Sequence, residues 1–418
     1  MHYEISEEFP KKMDENDELK PYKEKFYHPI TENGEPAIYF CGNSLGLQPK
    51  DVPQLVQREL DSWARNGVEG HFHDTTWTTI HEKIAEMSAP IVGAKKEEVT
   101  IMNTLTVNLH LMLVSFYRPT SKRYKILIER NAFPSDIYAI KSQIRFHGFD
   151  PKETLEIVGE TDEEIDTATV LRRIEELGDE LALILIGGIN YYSGQIFDME
   201  QITKKGHEVG AIVGFDLAHA FANIPLNLHE WEVDFAVWCN YKYGNGGPGA
   251  IAGAFVHEKH FEENLPRFEG WWGNKKETRF LMREEMETAY GAEAWQISNV
   301  PILSLVPLKS SIGMIKEIGM EKLRRKSVTL TGYLVFLLDK IDDDRIYITP
   351  RDPNQRGCQV SIHIKERGKE LFKAITKRGI ICDWREPDVI RVAPVPLYNS
   401  YQEVFRFYNI FRQELENL

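Results

Sequence analysis

From Glu97 onward the chain alternates short apolar runs with stretches of helical periodicity, and this alternation limits the fold more than any other feature. EEVTIMN leads through Thr104 into the apolar helical stretch LTVNLHLMLVSF, YKILIE runs into the turn NAFPSD, TVLRRIEEL reads as an amphipathic helix closed by Gly178, and LALILIGGI and AIVGFD are apolar throughout. Strands that are apolar on both faces must be covered on both faces, and strands alternating with helices are joined by crossovers into a mostly parallel sheet. The expected class is α/β. After Pro301 the pattern changes to a long helical stretch from Ser311 to about Ile341, a strand (QVSIHI), a helix (KELFKAITKRG), the short strands GIICDWR and VIRVAPV, and a last helix opened by Ser400 and Glu403 at capping-box spacing. That is expected to be a smaller α+β domain.

At the other end, the first 35 or so residues are charged and weakly periodic, which predicts an arm and no core element. AIYFCGNSLGLQPK reads as a short strand turning into a helix, with Asp51 as N-cap and Val52, Leu55, Val56, Leu60, Trp63 and Ala64 on one apolar face. The expected division is an arm over 1–45, a large domain over 46–300 and a C-terminal domain over 301–418.

A formal charge of −14 argues against nucleic acid or an anionic membrane as partner. Cys41, Cys239, Cys358 and Cys382 form no C-x-x-C pair and no disulfide spacing, which suits a reducing compartment. The N-terminal stretch lacks a targeting pattern and no apolar run reaches membrane length, so the expected location is the cytoplasm.

Chemistry concentrates around Lys242, in DFAVWCNYKYGNGGPGAIAGAFV. A phosphate-binding P-loop needs its glycines before the lysine and a helix after it; here the glycines follow and a strand comes next. The plain alternative is a surface lysine at a strand end. Against it, the preceding run is apolar and aromatic, tyrosines flank the lysine, and the strand AIVGFD ends in Asp216 with His219 three residues on. A carboxylate, a histidine and a lysine at neighbouring strand ends are what a pyridoxal phosphate site needs: the amine joins the cofactor aldehyde, and the carboxylate keeps the ring nitrogen protonated. Asp216 could equally be a simple helix N-cap. For the phosphate, the turn at Thr104, Leu105 and Thr106 offers a helix N-terminus and a hydroxyl. NAFPSD offers Phe133 as a flat apolar surface, with Ser135 and Asp136 as polar contacts; plain capping and a surface turn at Pro134 are the alternatives.

FCGNSLGLQPK, NTLTVNLHLML, NAFPSD, GFDLAHA, NYKY followed by GPG and FVHEKH, GWWG, ISN and IRVAPVPLYNS, in that order from Phe40 to Ser400, resemble the kynureninase family. The resemblance implies the aspartate aminotransferase fold (fold type I of the pyridoxal phosphate enzymes), a homodimer with active sites at the subunit interface, and no metal. The implied activity is a hydrolase acting on an amino acid, L-kynurenine or its 3-hydroxy form, to give anthranilate or 3-hydroxyanthranilate plus L-alanine, in tryptophan catabolism and NAD biosynthesis. It also implies that Lys242 carries the cofactor, Asp216 contacts the ring nitrogen, Tyr241 is the candidate acid, and His219, Leu105, Thr106, Phe133, Pro134, Ser135 and Asp136 form the cradle. Trp271 and Asn299 match positions that reach the site from the other subunit, Arg391 matches the arginine for the substrate carboxylate, and Ser44 and His71 match the substrate pocket. Gly187 stands where the family commonly has serine, and Gly244 where it commonly has leucine, which predicts a lost hydroxyl and a more mobile loop. The rivals are an aminotransferase or cysteine desulfurase of the same fold, and a cofactor-binding protein without turnover.

Overall fold

The computed structural model describes residues 2–72, 77–160 and 164–418. Its centre is a seven-stranded sheet whose order, edge to edge, is Val99–Ile101, Gly253–Val256, Phe235–Trp238, Ile212–Asp216, Leu181–Gly187, Lys125–Glu129 and Leu155–Val158. Only Gly253–Val256 runs antiparallel to its neighbours, so the sheet is mostly parallel as expected. Helices cover both faces, and Leu183, Ile184, Phe235 and Ala236 are fully buried. Gly214 is required where it stands, because a Cβ there would lie 2.2 Å from the Phe235 ring.

The C-terminal part carries a four-stranded antiparallel sheet in the order Asp383–Arg385, Val389–Val392, Val360–Ile364, Ile346–Thr349. The last helix, Tyr401–Glu416, opens with the expected capping box: Glu403 N donates to Ser400 Oγ at 3.2 Å and Ser400 N donates to the Glu403 carboxylate at 2.8 Å.

The structure departs from the sequence reading at several elements. The single helical stretch from Ser311 is two helices, Leu308–Ile318 and Met320–Leu338, parted at Gly319, whose φ of 81° ends the first. Leu308, Ile312 and Ile315 pack into the core under the large sheet, whereas Leu330, Leu334 and Leu337 pack into the C-terminal core. The charged N-terminal segment holds a helix, Glu8–Glu15, whose buried Asp14 accepts from Tyr401 N at 2.7 Å and Gln402 N at 3.1 Å and so caps the last helix from a distance. Asp51 does not cap the helix Val52–Asn66, because its carboxylate accepts the Ser310 hydroxyl at 2.5 Å instead. On that helix Val52 is buried, but Trp63 and Ala64, expected on the covered face, are exposed. The strands Leu155–Val158 and Ile346–Thr349 were not anticipated; each lies at a sheet edge, where half-exposed residues interrupt the apolar pattern.

On the helix Ile80–Val92, His81 is buried, its Nδ1 has no hydrogen-bond partner, and burial together with Lys276 and Arg279 lowers its pKa to about 4. The unfolded chain therefore takes up that proton first, near pH 6.5, and stability falls as the pH drops from there towards about 4. The expected loss is roughly 3 kcal/mol. Melting curves taken between about pH 7.5 and about pH 4.5 should show wild type losing more stability than His81→Gln; parallel losses would contradict this.

Candidate active site

The strands Lys125–Glu129, Leu181–Gly187 and Ile212–Asp216 end side by side, with Gly187 paired to Asp216 across the ladder. Beyond their carboxyl ends lies a cavity of about 330 Å³, the usual ligand position in open α/β sheets. Of the residues expected at the site, Ser44, Leu105, Thr106, Phe133, Ser135, Asp136, Asp216, His219, Tyr241, Lys242 and Arg391 line it. Asn43, Glu129, Tyr191 and Arg385 line it as well and were not anticipated.

Lys242 sits in the turn after the strand Phe235–Trp238 and not on the strand itself. Its Nζ lies 2.9 Å from His219 Nε2 and 6.0 Å from the centre of the Phe133 ring. Burial, Lys242, Arg391 and Arg385 together hold the His219 imidazole neutral. The loop that follows is tied down: Gly246 N donates to Asn240 O at 2.9 Å, Asn245 N to Lys242 O at 3.0 Å, and Gly46 N to Tyr241 O at 2.8 Å. Gly244 is buried, and a Cβ there would lie 2.7 Å from the Asn240 carbonyl oxygen. The expected extra mobility gives way to a closely packed turn, in which glycine is the residue that fits.

The floor of the cavity is acidic. Asp136 and Asp216 interact at its base: burial raises both carboxyls, and repulsion from Asp216 raises Asp136 further, so that Asp136 is the one that keeps a proton. Asp216 Oδ1 also accepts from Ala218 N at 2.7 Å. Thr106 at the start of the helix Leu105–Phe116 and Ser135 at the start of the helix Pro134–Phe146 bring their hydroxyls within 2.8 Å. Two helix N-termini with hydroxyls are suited to holding an anion. Pro134 does not line the cavity; it occupies the first turn of its helix and fixes where that helix begins.

Arg391 is 1% exposed and its fork is already occupied: Nε donates to Asp383 Oδ1 at 2.7 Å and Nη2 donates to Asp383 Oδ2. Nη1 donates to the Tyr191 carbonyl at 2.7 Å, and Nη2 reaches Ser44 Oγ at 3.3 Å. Ser44 in turn donates to Asp383 at 2.5 Å. Arg391 is thus braced on one side of the cavity, with Arg385 beside it, whose Nε has no partner. Tyr241 carries a hydrogen bond with the buried Cys239 thiol, and burial, then Cys239, raises its hydroxyl pKa.

Besides Pro134, three predicted residues lie outside the cavity. His71 is half-buried, with Nδ1 2.9 Å from Val68 O and its ring edge-on to Trp77 at 5.3 Å; residues 73–76 of that stretch are outside the described residues. Trp271 is 47% exposed, with its indole N–H donating to Arg279 O at 2.8 Å, and Asn299 is exposed.

The cavity leaves Asp136 Oδ1, Glu129 Oε2 and His219 Nδ1 buried without partners. Residues 323–411 match the family model of the kynureninase C-terminal domain. Kynureninases from Christiangramia forsetii and Flavobacterium psychrophilum are each 51% identical to the chain, over 99% and 100% of both sequences respectively. The kynureninase of Nematostella vectensis is 44% identical over 99% of the chain and 95% of its own length.

The chain belongs to the kynureninase family. Kynureninases are pyridoxal phosphate-dependent enzymes, and the unpartnered acids, the lysine amine and the paired helix N-termini fit that cofactor's ring, aldehyde and phosphate. Among solved structures the fold resembles a cysteine desulfurase from Thermococcus onnurineus, with a TM-score of 0.77 at 18% identity over 98% of both chains. The Escherichia coli cysteine desulfurase CsdA also gives 0.77, at 14% identity over 96% of this chain and 99% of its own. At such identities the likeness is one of fold, and it agrees with the aspartate aminotransferase class expected from the sequence.

Proposed function

We propose that this kynureninase-family chain hydrolyses L-kynurenine, and its 3-hydroxy form, to anthranilate or 3-hydroxyanthranilate and L-alanine, as a cytoplasmic homodimer serving tryptophan catabolism and NAD biosynthesis. The observation that carries the reading is the Lys242 amine facing a cavity floored by the Asp136–Asp216 pair. Pyridoxal phosphate, held by Lys242 until the substrate amine displaces the lysine, would supply an electron sink that makes the substrate Cα proton removable. Lys242 Nζ then takes that proton, and neutral His219 holds the amine in place through its 2.9 Å contact. Asp216, with Asp136 carrying a proton, keeps negative charge at the ring nitrogen. The Thr106 and Ser135 hydroxyls anchor the phosphate, Phe133 lies against the ring, and Arg391 with Ser44 orients the substrate carboxylate. Tyr241 keeps its proton at neutral pH and is the acid for Cβ.

The desulfurase reading has less support. Cys358 is buried against Ser327 and burial pushes its thiol up to about 11, which does not suit a nucleophile. Purified protein loaded with pyridoxal phosphate should release anthranilate and alanine in equal amounts from kynurenine and no sulfur from cysteine. Cofactor binding without anthranilate would overturn the reading.

Dimerisation is supported by uncovered aromatics: Phe72 and Trp271 are both exposed and flank exposed Phe280, at 6.2 and 5.3 Å between ring centres. Trp271 and Asn299 are thereby free to enter a partner's site. Mixing Lys242→Ala with Trp271→Ala should restore about a quarter of wild-type activity, because half of the reassorted dimers carry one intact shared site. No recovery after subunit exchange would place Trp271 in its own chain's site or in none. His71, which the family resemblance assigns to the substrate pocket, should influence the choice between the two substrates; His71→Trp with unchanged preference would remove it.

A further inference from the structure

The cavity holds one acid that the expected cradle does not use. Glu129 ends the strand Lys125–Glu129, is 4% exposed, and lines the cavity. Its Oε1 accepts from Gly187 N at 3.2 Å, while its Oε2 is buried with no partner. The arrangement depends on Gly187: a Cβ there would lie 2.9 Å from Glu129 Oε1, so any side chain at 187 would push the carboxyl away. A buried carboxyl with an idle oxygen is costly unless a ligand completes it.

We propose that Glu129 is a further cofactor-binding residue, whose carboxyl donates a hydrogen bond to the phenolic oxygen of the pyridoxal ring in the space that Gly187 leaves open. This role rests on the cofactor reading above. Pyridoxal phosphate offers a phosphate, an aldehyde, a ring nitrogen and a phenolic oxygen. Thr106 and Ser135 suit the phosphate, Lys242 the aldehyde, and Asp216 the nitrogen. The phenolic oxygen is ortho to the aldehyde; His219 Nε2, 2.9 Å from Lys242 Nζ, approaches it from the lysine side, Asp136 is taken up by its pairing with Asp216, and Glu129, one strand beyond Gly187 and two beyond Asp216, is the remaining buried acid with an idle oxygen. Donation requires a protonated carboxyl, and burial, reinforced by the nearby Asp216, raises the Glu129 pKa to about 7. Gly187 thus exchanges a side-chain hydroxyl for room in which a stronger donor sits.

The test is an equilibrium titration of dialysed apoprotein with pyridoxal phosphate, read by visible absorbance and by quenching of tryptophan fluorescence. Glu129→Ala should weaken cofactor binding roughly ten- to hundredfold and shift the visible band. Glu129→Gln keeps an N–H donor at the same reach and should stay within about threefold of wild type. Should the alanine variant not fold by circular dichroism, Glu129→Met retains the volume without the polar atoms and carries the same expectation. Wild-type affinity with an unshifted band in the alanine or methionine variant overturns the proposal, as does a glutamine variant as weak as either. Failure of wild type itself to form a Lys242-dependent band would instead overturn the cofactor assignment.

Discussion

Replacing Lys242 with alanine is expected to abolish the visible band of the lysine-linked cofactor and lower turnover of kynurenine by roughly 10⁴-fold or more, because the cofactor anchor and the Cα base are lost together. The site predicts this size because no second amine stands in: Lys242 is the lysine that lines the cavity among the described residues, and its neighbour His219 is held neutral by burial and by Lys242 itself. A lysine serving only to attract the phosphate would behave differently. Its loss would raise the cofactor concentration needed and leave turnover near normal at saturation. Measuring the rate across cofactor concentrations separates the two.

Removing the Arg391 side chain is expected to produce the second largest effect, on two quantities at once. Arg391→Ala takes away the cation that orients the substrate carboxylate, and kcat/KM should fall by roughly 10²–10³, chiefly through KM. It also strands Asp383. Burial alone would raise the Asp383 pKa, yet hydrogen bonding and charge from Arg391 hold it below the usual carboxylate range. A depressed folded pKa contributes stability that is present above the unfolded value, near 3.9, and lost as pH falls through the folded one. Without Arg391 that contribution goes, and the fold should weaken by about 3 kcal/mol, the lower end for a broken buried pair because Ser44 and Arg385 still bond Asp383. Denaturant unfolding and steady-state kinetics read the two effects. An unchanged KM in the folded variant would make the arginine structural only.

How much of this was legible in the sequence follows from where each residue's environment is made. Lys242, Asp216, Thr106 and Ser135 stand at the ends of apolar strands or the starts of helices, so local pattern and motif spacing located them together. Glu129 and Arg385 carried no such mark. A lone acid after YKILI reads as a strand end turning to solvent, and Arg385 reads as a polar residue in GIICDWR; the cavity that makes both significant forms only when distant segments meet. The Arg391 brace was hidden for the same reason, since Asp383 and Tyr191 reach it from another strand and another domain segment. Helix ends set by long-range contacts, such as Asp14 capping the last helix, were equally invisible to local periodicity. Gly244 seemed to loosen its loop because a glycine's freedom shows in the sequence, whereas the carbonyl pressed against it does not.

The central claim is that the Lys242 cavity is where the cofactor is held and the chemistry is run. Borohydride reduction of the cofactor-loaded protein, followed by peptide mass mapping, tests it directly. The account predicts a pyridoxyl group on Lys242, one per chain, and its absence after reduction of the Lys242→Ala variant. A cofactor fixed to another lysine, with Lys242 unmodified, would contradict it.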